Sequence, residues 1–309
     1  MTDAWTAHPS PQLRAVSLLL PALRYKGILT SEERTLRNIA ASAGATPAWP
    51  PAAYRREFRL GRERLGPLPA LVIEPGSGAG SARSFVWLHG GGYVHQFEHA
   101  HWWLVASLVR QLGVRVIAPD YALVPGGTAS RALDEVPALL EAVADRDGAE
   151  PVLGGDSAGG GLAVAIALAL RGRPHAPAHL VLAAPWLDVT LRHPEVPVFE
   201  RRDPSLAARG LRISGRRWAG GLDPADPRVS PAFAGDYRGL PPTSLLLGTR
   251  DLLYPDARDF AASARRDGVD VATFTAADGF HVFAAASRLP EARAARRWLA
   301  ERLEDYWVV

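Results

Sequence analysis

Residues 151–166 read Pro-Val-Leu-Gly-Gly-Asp-Ser-Ala-Gly-Gly-Gly-Leu-Ala-Val-Ala-Ile. A short apolar run leads into the glycines, and an Ala/Leu-rich stretch starts after Ser157, as in a buried strand that turns sharply into a helix. Gly155 and Gly159 flank this serine at a spacing that lets backbone pass closely and lifts the hydroxyl above a sheet. The segment therefore predicts a nucleophilic serine at position 157, although so short a pattern is weak alone.

Short apolar runs alternate with helix-like stretches on both sides of this turn. The predicted strands are 70–74, 84–89, 114–120, 151–154, 180–184, 244–248 and 271–275. The predicted helices are 98–112, 128–146, 158–171, 255–267 and 289–304. Strands that alternate with helices in this way predict an α/β fold with a mostly parallel, doubly wound sheet.

Two segments interrupt this alternation. Residues 1–55 read as helices, and no strand is apparent between Asp188 and Pro242, a stretch too long for a simple loop in a compact domain. We therefore expect one catalytic domain over residues 56–309, with an insertion at about 189–225 that packs over one end of the sheet. Together with the N-terminal helices, the insertion would form a cap.

A second glycine-rich motif, His89-Gly-Gly-Gly92, directly follows a predicted strand. A glycine run at a strand end leaves backbone N–H groups free to face a ligand, and in hydrolases with a serine at a strand-to-helix turn such a loop completes the oxyanion hole. A flexible turn is one alternative. A phosphate-binding loop is another, but the Lys-Ser/Thr pair that it requires is missing here.

The chain order expected after such a serine is an acid and then a histidine. His281 lies in a loop beyond a late predicted strand, whereas the other histidines after Ser157 precede a strand or begin the insertion. Asp251 follows the predicted strand 244–248, where functional groups of parallel sheets collect. Asp256 and Asp259 fall inside the next helix and fit less well. The sequence thus predicts Ser157, Asp251 and His281 as a catalytic triad.

Composition excludes several other classes of function. The chain has no cysteine, which rules out disulfides, thiolate catalysis and cysteine-bound metal. Its net charge of +3 is not gathered into a basic and aromatic patch, so no nucleic-acid partner is expected. The apolar run 15–20 is too short to span a membrane and has no basic segment before it, which favours a cytoplasmic protein.

Four neighbouring side chains, His95, Glu98, His99 and His101, resemble a zinc-binding spacing. A hydrolase with a complete triad needs no metal, so we expect these residues to flank the mouth of the pocket. The sequence therefore predicts neither a metal site nor a cofactor.

Further motifs follow in a fixed order along the chain. They are Tyr93 after the glycine run, Pro185-Trp-Leu-Asp188, Ser230-Pro231, Leu240-Pro-Pro242, Gly248-Thr-Arg-Asp251 and Phe280-His-Val-Phe283. With the two glycine motifs they make the chain similar, over roughly residues 84–304, to the hormone-sensitive-lipase-like esterases, the alpha/beta hydrolase fold-3 group. The resemblance implies the α/β-hydrolase fold with a helical cap, and hydrolysis of short to medium acyl esters without a cofactor. It also implies an oxyanion hole formed by the N–H groups of Gly91, Gly92 and Ala158.

The predicted function is a serine hydrolase that cleaves small, mainly apolar acyl or aryl esters through an acyl-enzyme on Ser157. Adjacency to catalytic positions predicts an apolar pocket lined by Tyr93, Val94, Trp186, Leu187 and Phe280. A lactonase, an amidase or an acyltransferase would use the same triad, and a non-catalytic small-molecule receptor is a more distant alternative. The oligomeric state stays open, with an exposed last strand as the edge on which a homodimer would form.

Overall fold

A nine-stranded sheet runs through the computed structural model, which describes residues 3–23, 25–76 and 83–307. Its strands are β1 (Ala4–Thr6), β2 (Phe58–Leu65), β3 (Leu68–Pro75), β4 (Phe85–Leu88), β5 (Val116–Pro119), β6 (Val152–Asp156), β7 (His179–Ala183), β8 (Thr243–Gly248) and β9 (Val271–Ala276). Across the sheet they lie in the order β1-β9-β8-β7-β6-β4-β5-β3-β2. Strand β3 is antiparallel to β2 and β5, and the remaining neighbours are parallel. The predicted mostly parallel α/β sheet is therefore confirmed.

Helices cover both faces of the sheet. They are α1 (Pro11–Leu19), α2 (Tyr25–Leu29), α3 (Glu32–Ser42), α4 (His99–Leu112), α5 (Ala129–Asp147), α6 (Ser157–Ala169), α7 (Val196–Arg202), α8 (Ala208–Ala219), α9 (Tyr254–Arg266) and α10 (Pro290–Trp307). In β4, Val86 and Leu88 belong to the apolar layer that includes α5, α6 and α9, while Phe85 and Trp87 belong to the layer of α4 and α10. This alternation is what buries a central strand on both faces.

Two edge strands were missed by the sequence patterns. Strand β1 has three residues and pairs with β9, more than 260 residues away, so no local pattern marks it. It lies inside the segment 1–55 that was predicted to be helical. Strand β2 reads Phe-Arg-Leu-Gly-Arg-Glu-Arg-Leu, and four of its eight residues are exposed and charged, so it lacks the apolar run of a central strand.

The sheet order corrects the expected dimer edge. The last strand, β9, pairs with β8 on one side and with β1 on the other, so it is not exposed. The edges of the sheet are the three-residue β1 and the charged β2, and short or charged edges disfavour strand pairing between molecules. The argument that a homodimer forms through an exposed last strand is therefore wrong.

The N-terminal helices pack on the insertion between β7 and β8. Within the described range 83–307, the insertion holds α7 and α8 and no strand. Helices α2 and α3 lie against α8, where a Cβ atom at Gly210 would come within 2.5 Å of the Leu29 Cα atom. The Lys26 ammonium group donates hydrogen bonds to the carbonyls of Glu200 and Asp203, at 2.6 and 2.5 Å. The two segments are thus joined beside the sheet.

None of the helices in these three described ranges has the length and apolar character that crossing a bilayer demands.

Helix α6 passes unusually close to strand β4. A Cβ atom at Gly159 would overlap the Leu88 carbonyl and lie 2.6 Å from the His89 carbonyl oxygen. The backbone of a central strand cannot move aside without disturbing its own sheet pairs. Only glycine therefore allows this crossing, which brings the start of α6 beside the end of β4.

We predict that Gly159→Ala lowers the free energy of unfolding by about 1–3 kcal/mol, the usual range for overpacking a core. Gly221→Ala is the matched control, because a Cβ atom there meets nothing within 4 Å and should change stability by about 0.5 kcal/mol or less. Urea unfolding followed by circular dichroism measures both. Equal midpoints for the two variants would contradict this account of the crossing.

Candidate active site

Ser157 sits on a strained turn between β6 and α6. Its φ angle is +50°, a left-handed conformation that non-glycine residues seldom adopt. Strain of this kind concentrates at functional sites, and a serine raised on a strand-to-helix turn is the defining feature of a nucleophile elbow. The residue lines a cavity together with His281. The local geometry therefore has the form that the sequence pattern predicted.

Asp251 and His281 lie in the loops that follow β8 and β9. The His281 Nδ1 atom donates a hydrogen bond to the Asp251 Oδ2 atom at 2.8 Å, because a carboxylate can only accept. The other oxygen, Oδ1, accepts the Leu253 N–H at 2.9 Å, and Asp251 is 1% exposed. This arrangement fixes the imidazole and leaves its Nε2 atom as the one available to a partner in the cavity.

Acidic groups around His281 favour its protonated form. Burial is the largest single influence and lowers the pKa of the imidazole, but the charge and hydrogen bond of Asp251, together with the charges of Asp203 and Asp156, outweigh it. The pKa of His281 is therefore raised above its ordinary value of 6.5. A ring with a raised pKa accepts a proton more readily, which suits a general base near neutral pH.

The glycine loop after β4 presents unused backbone donors to the same cavity. Gly91 and Gly92 both line it, with φ angles of +108° and +64°. Their N–H groups donate to no acceptor in the described part of the chain. The Tyr121 hydroxyl holds the start of the loop by donating to the His89 carbonyl at 2.6 Å. The Ala158 N–H belongs to the first turn of α6, where helix donors lack internal partners.

The cavity has a volume of about 430 Å³ and takes part of its wall from the N-terminal segment and the insertion. Val16 and Leu20 come from the N-terminal segment, and Leu206 and Leu211 come from the insertion. Phe280 closes the wall next to His281. Segments that are far apart in sequence thus enclose one mainly apolar space above the serine.

Four of the five predicted pocket residues do not form this wall in the described structure. Phe280 lines the cavity, but Tyr93, Val94, Trp186 and Leu187 are at most 3% exposed and belong to the core. Tyr93 stacks on Trp218 with ring centroids 4.1 Å apart. Adjacency to a catalytic position therefore misassigned these four side chains, because each points into the layer beneath the cavity.

Asp203, at the end of α7, was missed by the sequence reasoning. It is 2% exposed, and its Oδ1 atom accepts the N–H groups of Ser205 and Leu206. Its Oδ2 atom accepts the Leu252 N–H at 2.7 Å, next to Asp251. Burial, followed by the nearby Asp251 charge, raises the pKa of Asp203 to about 6. Nothing local in the sequence shows that this insertion residue reaches the acid's loop.

The residues whose spacing resembled a zinc site contact different partners. The His95 Nε2 atom lies 3.0 Å from the Asn38 amide nitrogen, and the His101 Nε2 atom lies 3.6 Å from Asp156. The His101 Nδ1 atom accepts the Glu98 N–H, and His99 is exposed. Within the described ranges, no group of three or more His, Cys, Asp or Glu residues is arranged to hold a metal ion.

Comparison with known proteins identifies the family of the chain. Residues 85–285 match a protein family described as alpha/beta hydrolase fold. LipR of Mycobacterium tuberculosis, which is named as an acetyl-hydrolase, is 33% identical over 255 residues that cover 80% of this chain and 81% of LipR. An acetyl-hydrolase of Streptomyces hygroscopicus is 34% identical over 65% of this chain and 68% of its own length. A solved esterase from the bacterial hormone-sensitive lipase family shares 28% identity, with a TM-score of 0.80 over 96% of this chain and 99% of that one.

The raised pKa of His281 gives a testable pH dependence. A general base must be neutral, so we predict that kcat/KM for an uncharged ester falls as the pH drops through a value above 6.5. Asp203→Asn removes a nearby negative charge that stabilises the imidazolium ion, and should move this acid limb to lower pH. Initial rates between pH 5 and 9 measure the shift.

Asp236→Asn serves as the control for this shift. Asp236 lies in the loop before β8, near the amino ends of the parallel strands, whereas the cavity lies at their carboxyl ends. Its charge should therefore not affect the acid limb. An acid limb that stays in place in Asp203→Asn would show that the Asp203 carboxylate does not influence the base.

Proposed function

Because the chain belongs to the hormone-sensitive-lipase-like family of alpha/beta hydrolases, we propose that Ser157, Asp251 and His281 carry out its chemistry as a catalytic triad. Relatives named as esterases and as a carboxylic ester hydrolase identify that chemistry as the hydrolysis of carboxylic esters. The observation that carries the triad proposal is the strained Ser157 turn at a cavity shared with a histidine whose Nδ1 atom is bound to a buried carboxylate.

The reaction follows from these groups. His281 takes the Ser157 proton as the Oγ atom attacks the ester carbonyl, while Asp251 keeps the imidazole in the required tautomer. The tetrahedral intermediate collapses to an acyl-enzyme, and the alcohol leaves with the proton that His281 returns. Water, deprotonated by His281, then attacks the acyl-enzyme and releases the carboxylic acid, which restores the serine.

The negative charge of the tetrahedral intermediate needs donors that are already in place. We assign this role to the N–H groups of Gly91, Gly92 and Ala158. The first two have no acceptor among the described residues, and the third stands at the positive end of α6. Each donor of this kind is typically worth about 10²–10³ in rate. Because the donors belong to the backbone, their positions depend on how the glycine loop and α6 pack.

The proposed substrates are small esters with mainly apolar acyl or aryl groups. A volume of about 430 Å³ lies within the range of small-molecule sites, and the cap supplies mostly aliphatic walls. Long acyl chains would have to leave this space through its open side. The acyl group can be released to water, which is hydrolysis, or transferred to an added alcohol. Product analysis with added alcohols distinguishes the two reactions. The cytoplasmic location and the homodimer stay predictions, for fractionation and light scattering to test.

We predict that wild-type protein hydrolyses p-nitrophenyl esters, with an optimum among the short to medium acyl chains between acetate and laurate. Ser157→Ala removes the nucleophile and should leave no more than a few percent of the wild-type rate. Ser263→Ala is the matched control, because its hydroxyl bonds Arg266 away from the cavity, and should keep full activity. A Ser157→Ala variant that retains substantial turnover would exclude the acyl-enzyme on this residue.

We also predict that Asp251→Asn lowers kcat by roughly 10⁴, because an asparagine favours the wrong imidazole tautomer. Asp259→Asn tests the neighbouring candidate acid, whose carboxylate bonds His193 and Arg258 instead. That variant should stay within a factor of about two to three of wild type in p-nitrophenyl butyrate hydrolysis, a change worth about 0.5 kcal/mol. The reverse order of effects would move the role of the acid to Asp259.

A further inference from the structure

One side of the catalytic cavity carries polar groups that the proposed reaction does not use. Tyr25 from α2 lines the cavity together with His95 and Glu98, which lie between the glycine loop and α4. We call these three side chains the polar corner. In a mainly apolar site, a few convergent polar groups are the usual means of orienting and selecting a ligand.

The polar corner begins directly beside the proposed oxyanion hole. The His95 backbone N–H donates to the Gly91 carbonyl at 3.0 Å. A Cβ atom placed on Gly91 would lie 2.9 Å from the His95 Cβ atom. A group bound at His95 would therefore belong to a part of the substrate close to the reacting carbonyl.

The hydrogen-bond partners of His95 define its tautomer. The Asn38 amide nitrogen donates to the Nε2 atom at 3.0 Å, so a neutral ring carries its proton on Nδ1. Burial lowers the pKa of His95 below its ordinary value of 6.5, although the Glu98 charge opposes this effect. The imidazole is therefore neutral at neutral pH. The cap residue Asn38 thus leaves the Nδ1–H group as the free donor of this imidazole.

The groups around that donor have unused capacity. The distance from the His95 Nδ1 atom to the Glu98 Oε1 atom is 3.7 Å, too long for a direct hydrogen bond. Within residues 3–23, 25–76 and 83–307, no Lys or Arg side chain forms an ion pair with Glu98, and the Tyr25 hydroxyl makes no hydrogen bond. The Tyr25 ring packs near His95, with centroids 5.9 Å apart.

We propose that the polar corner binds a hydroxyl group of the substrate, so that the preferred esters carry a hydroxyl near the ester bond. A hydroxyl oxygen can sit at about 2.8 Å from both atoms of the 3.7 Å gap, accepting from His95 Nδ1–H and donating to the Glu98 carboxylate. A protonated amine has no lone pair with which to accept from His95. The inference rests on the proposed ester hydrolysis and names its substrate class.

An ester without this hydroxyl leaves the donor and the carboxylate unmatched once it displaces water from the corner. Sites built to hydrogen-bond a hydroxyl reject analogues that lack it for this reason. Because Glu98 is partly exposed, with 60% of its side chain accessible, the discrimination should be moderate. We expect about a tenfold gain in kcat/KM, in line with one hydrogen bond to a charged group.

The experiment compares matched esters by acid release at constant pH 8. Methyl butyrate and methyl 3-hydroxybutyrate test the acyl side, and ethyl acetate and 2-hydroxyethyl acetate test the alcohol side. Wild type should prefer the hydroxylated ester about tenfold in at least one pair. Methyl 3-aminobutyrate, largely protonated at this pH, should gain nothing. No preference in either pair, or a preference for the amine, would overturn the proposal.

Two near-isosteric variants assign the preference to the polar corner. Glu98→Gln replaces a charged acceptor with a neutral one, and Tyr25→Phe removes a hydroxyl while keeping the ring beside His95. Glu98→Gln should reduce the hydroxyl-to-unsubstituted ratio of kcat/KM at least threefold, since a hydrogen bond to a charged group is worth about twice a neutral one. Tyr25→Phe should reduce the ratio less, because the proposed hydrogen bonds are made by His95 and Glu98. Glu33→Gln on α3, an exposed position in the same N-terminal segment, should keep the wild-type ratio.

The outcomes distinguish failure of the proposed hydroxyl site from failure of the proposed ester hydrolysis. A wild-type ratio in Glu98→Gln, with a melting temperature that shows an intact fold, would remove the hydroxyl site from the polar corner. Hydrolysis of every ester without a hydroxyl preference would sink the subsite alone. Failure to hydrolyse any of these esters, or any p-nitrophenyl ester, would instead count against the proposed function.

Discussion

The close crossing of α6 over β4 is the constraint on which the rest of the site depends. A Cβ atom at Gly159 would overlap the Leu88 carbonyl, so the helix can start where it does only because that position has no side chain. At the start of this helix Ser157 adopts its left-handed turn and lies beside the glycine loop, where a Cβ atom on Gly90 would lie 3.0 Å from the Ser157 Cβ atom. The proposed nucleophile and the proposed backbone donors are therefore brought together by close packing between main chains.

The parallel sheet then positions the proposed acid and the proposed base. Strands β6, β8 and β9 run in the same direction, so the residues that follow them meet at the carboxyl ends of the strands, as is general for open parallel sheets. Asp251 and His281 reach each other there across 30 positions of sequence. The charge around the base does not come from the sheet alone, since Asp203 arrives from the insertion and bonds the Leu252 N–H. Lys26 bonds the Asp203 carbonyl, which links the N-terminal segment to the same loop. The cap thus contributes to the electrostatics of His281 as well as to the wall.

Features marked by a local sequence pattern could be predicted, whereas features that depend on contacts between distant segments could not. The central strands have continuous apolar runs, and the glycine motifs mark their turns, so the sheet could be predicted, and Ser157, Asp251 and His281 could be proposed as a triad, without a structure. Strand β1 could not, because its pairing partner is at the other end of the chain. Asp203 could not, because a carboxylate in a helical insertion looks like any solvated acid until it is found buried against another loop. The prediction of the residues that line the pocket was wrong for a related reason. Trp186 follows a strand that ends near the cavity, yet its side chain is buried in the core.

This division places chemistry and selectivity in different parts of the molecule. The groups proposed to react are held by strands and by glycine contacts, which leave little freedom for change. The groups that meet the rest of the substrate come from segments with weak local signals, such as Val16, Leu20 and Tyr25 from the N-terminal segment. The orientation of His95 depends on Asn38 from that same segment, since the amide directs which imidazole nitrogen keeps the proton. The proposed substrate preference would therefore depend on how the N-terminal segment packs on the glycine loop, because small misplacements of positioning groups alter the fit of a substrate.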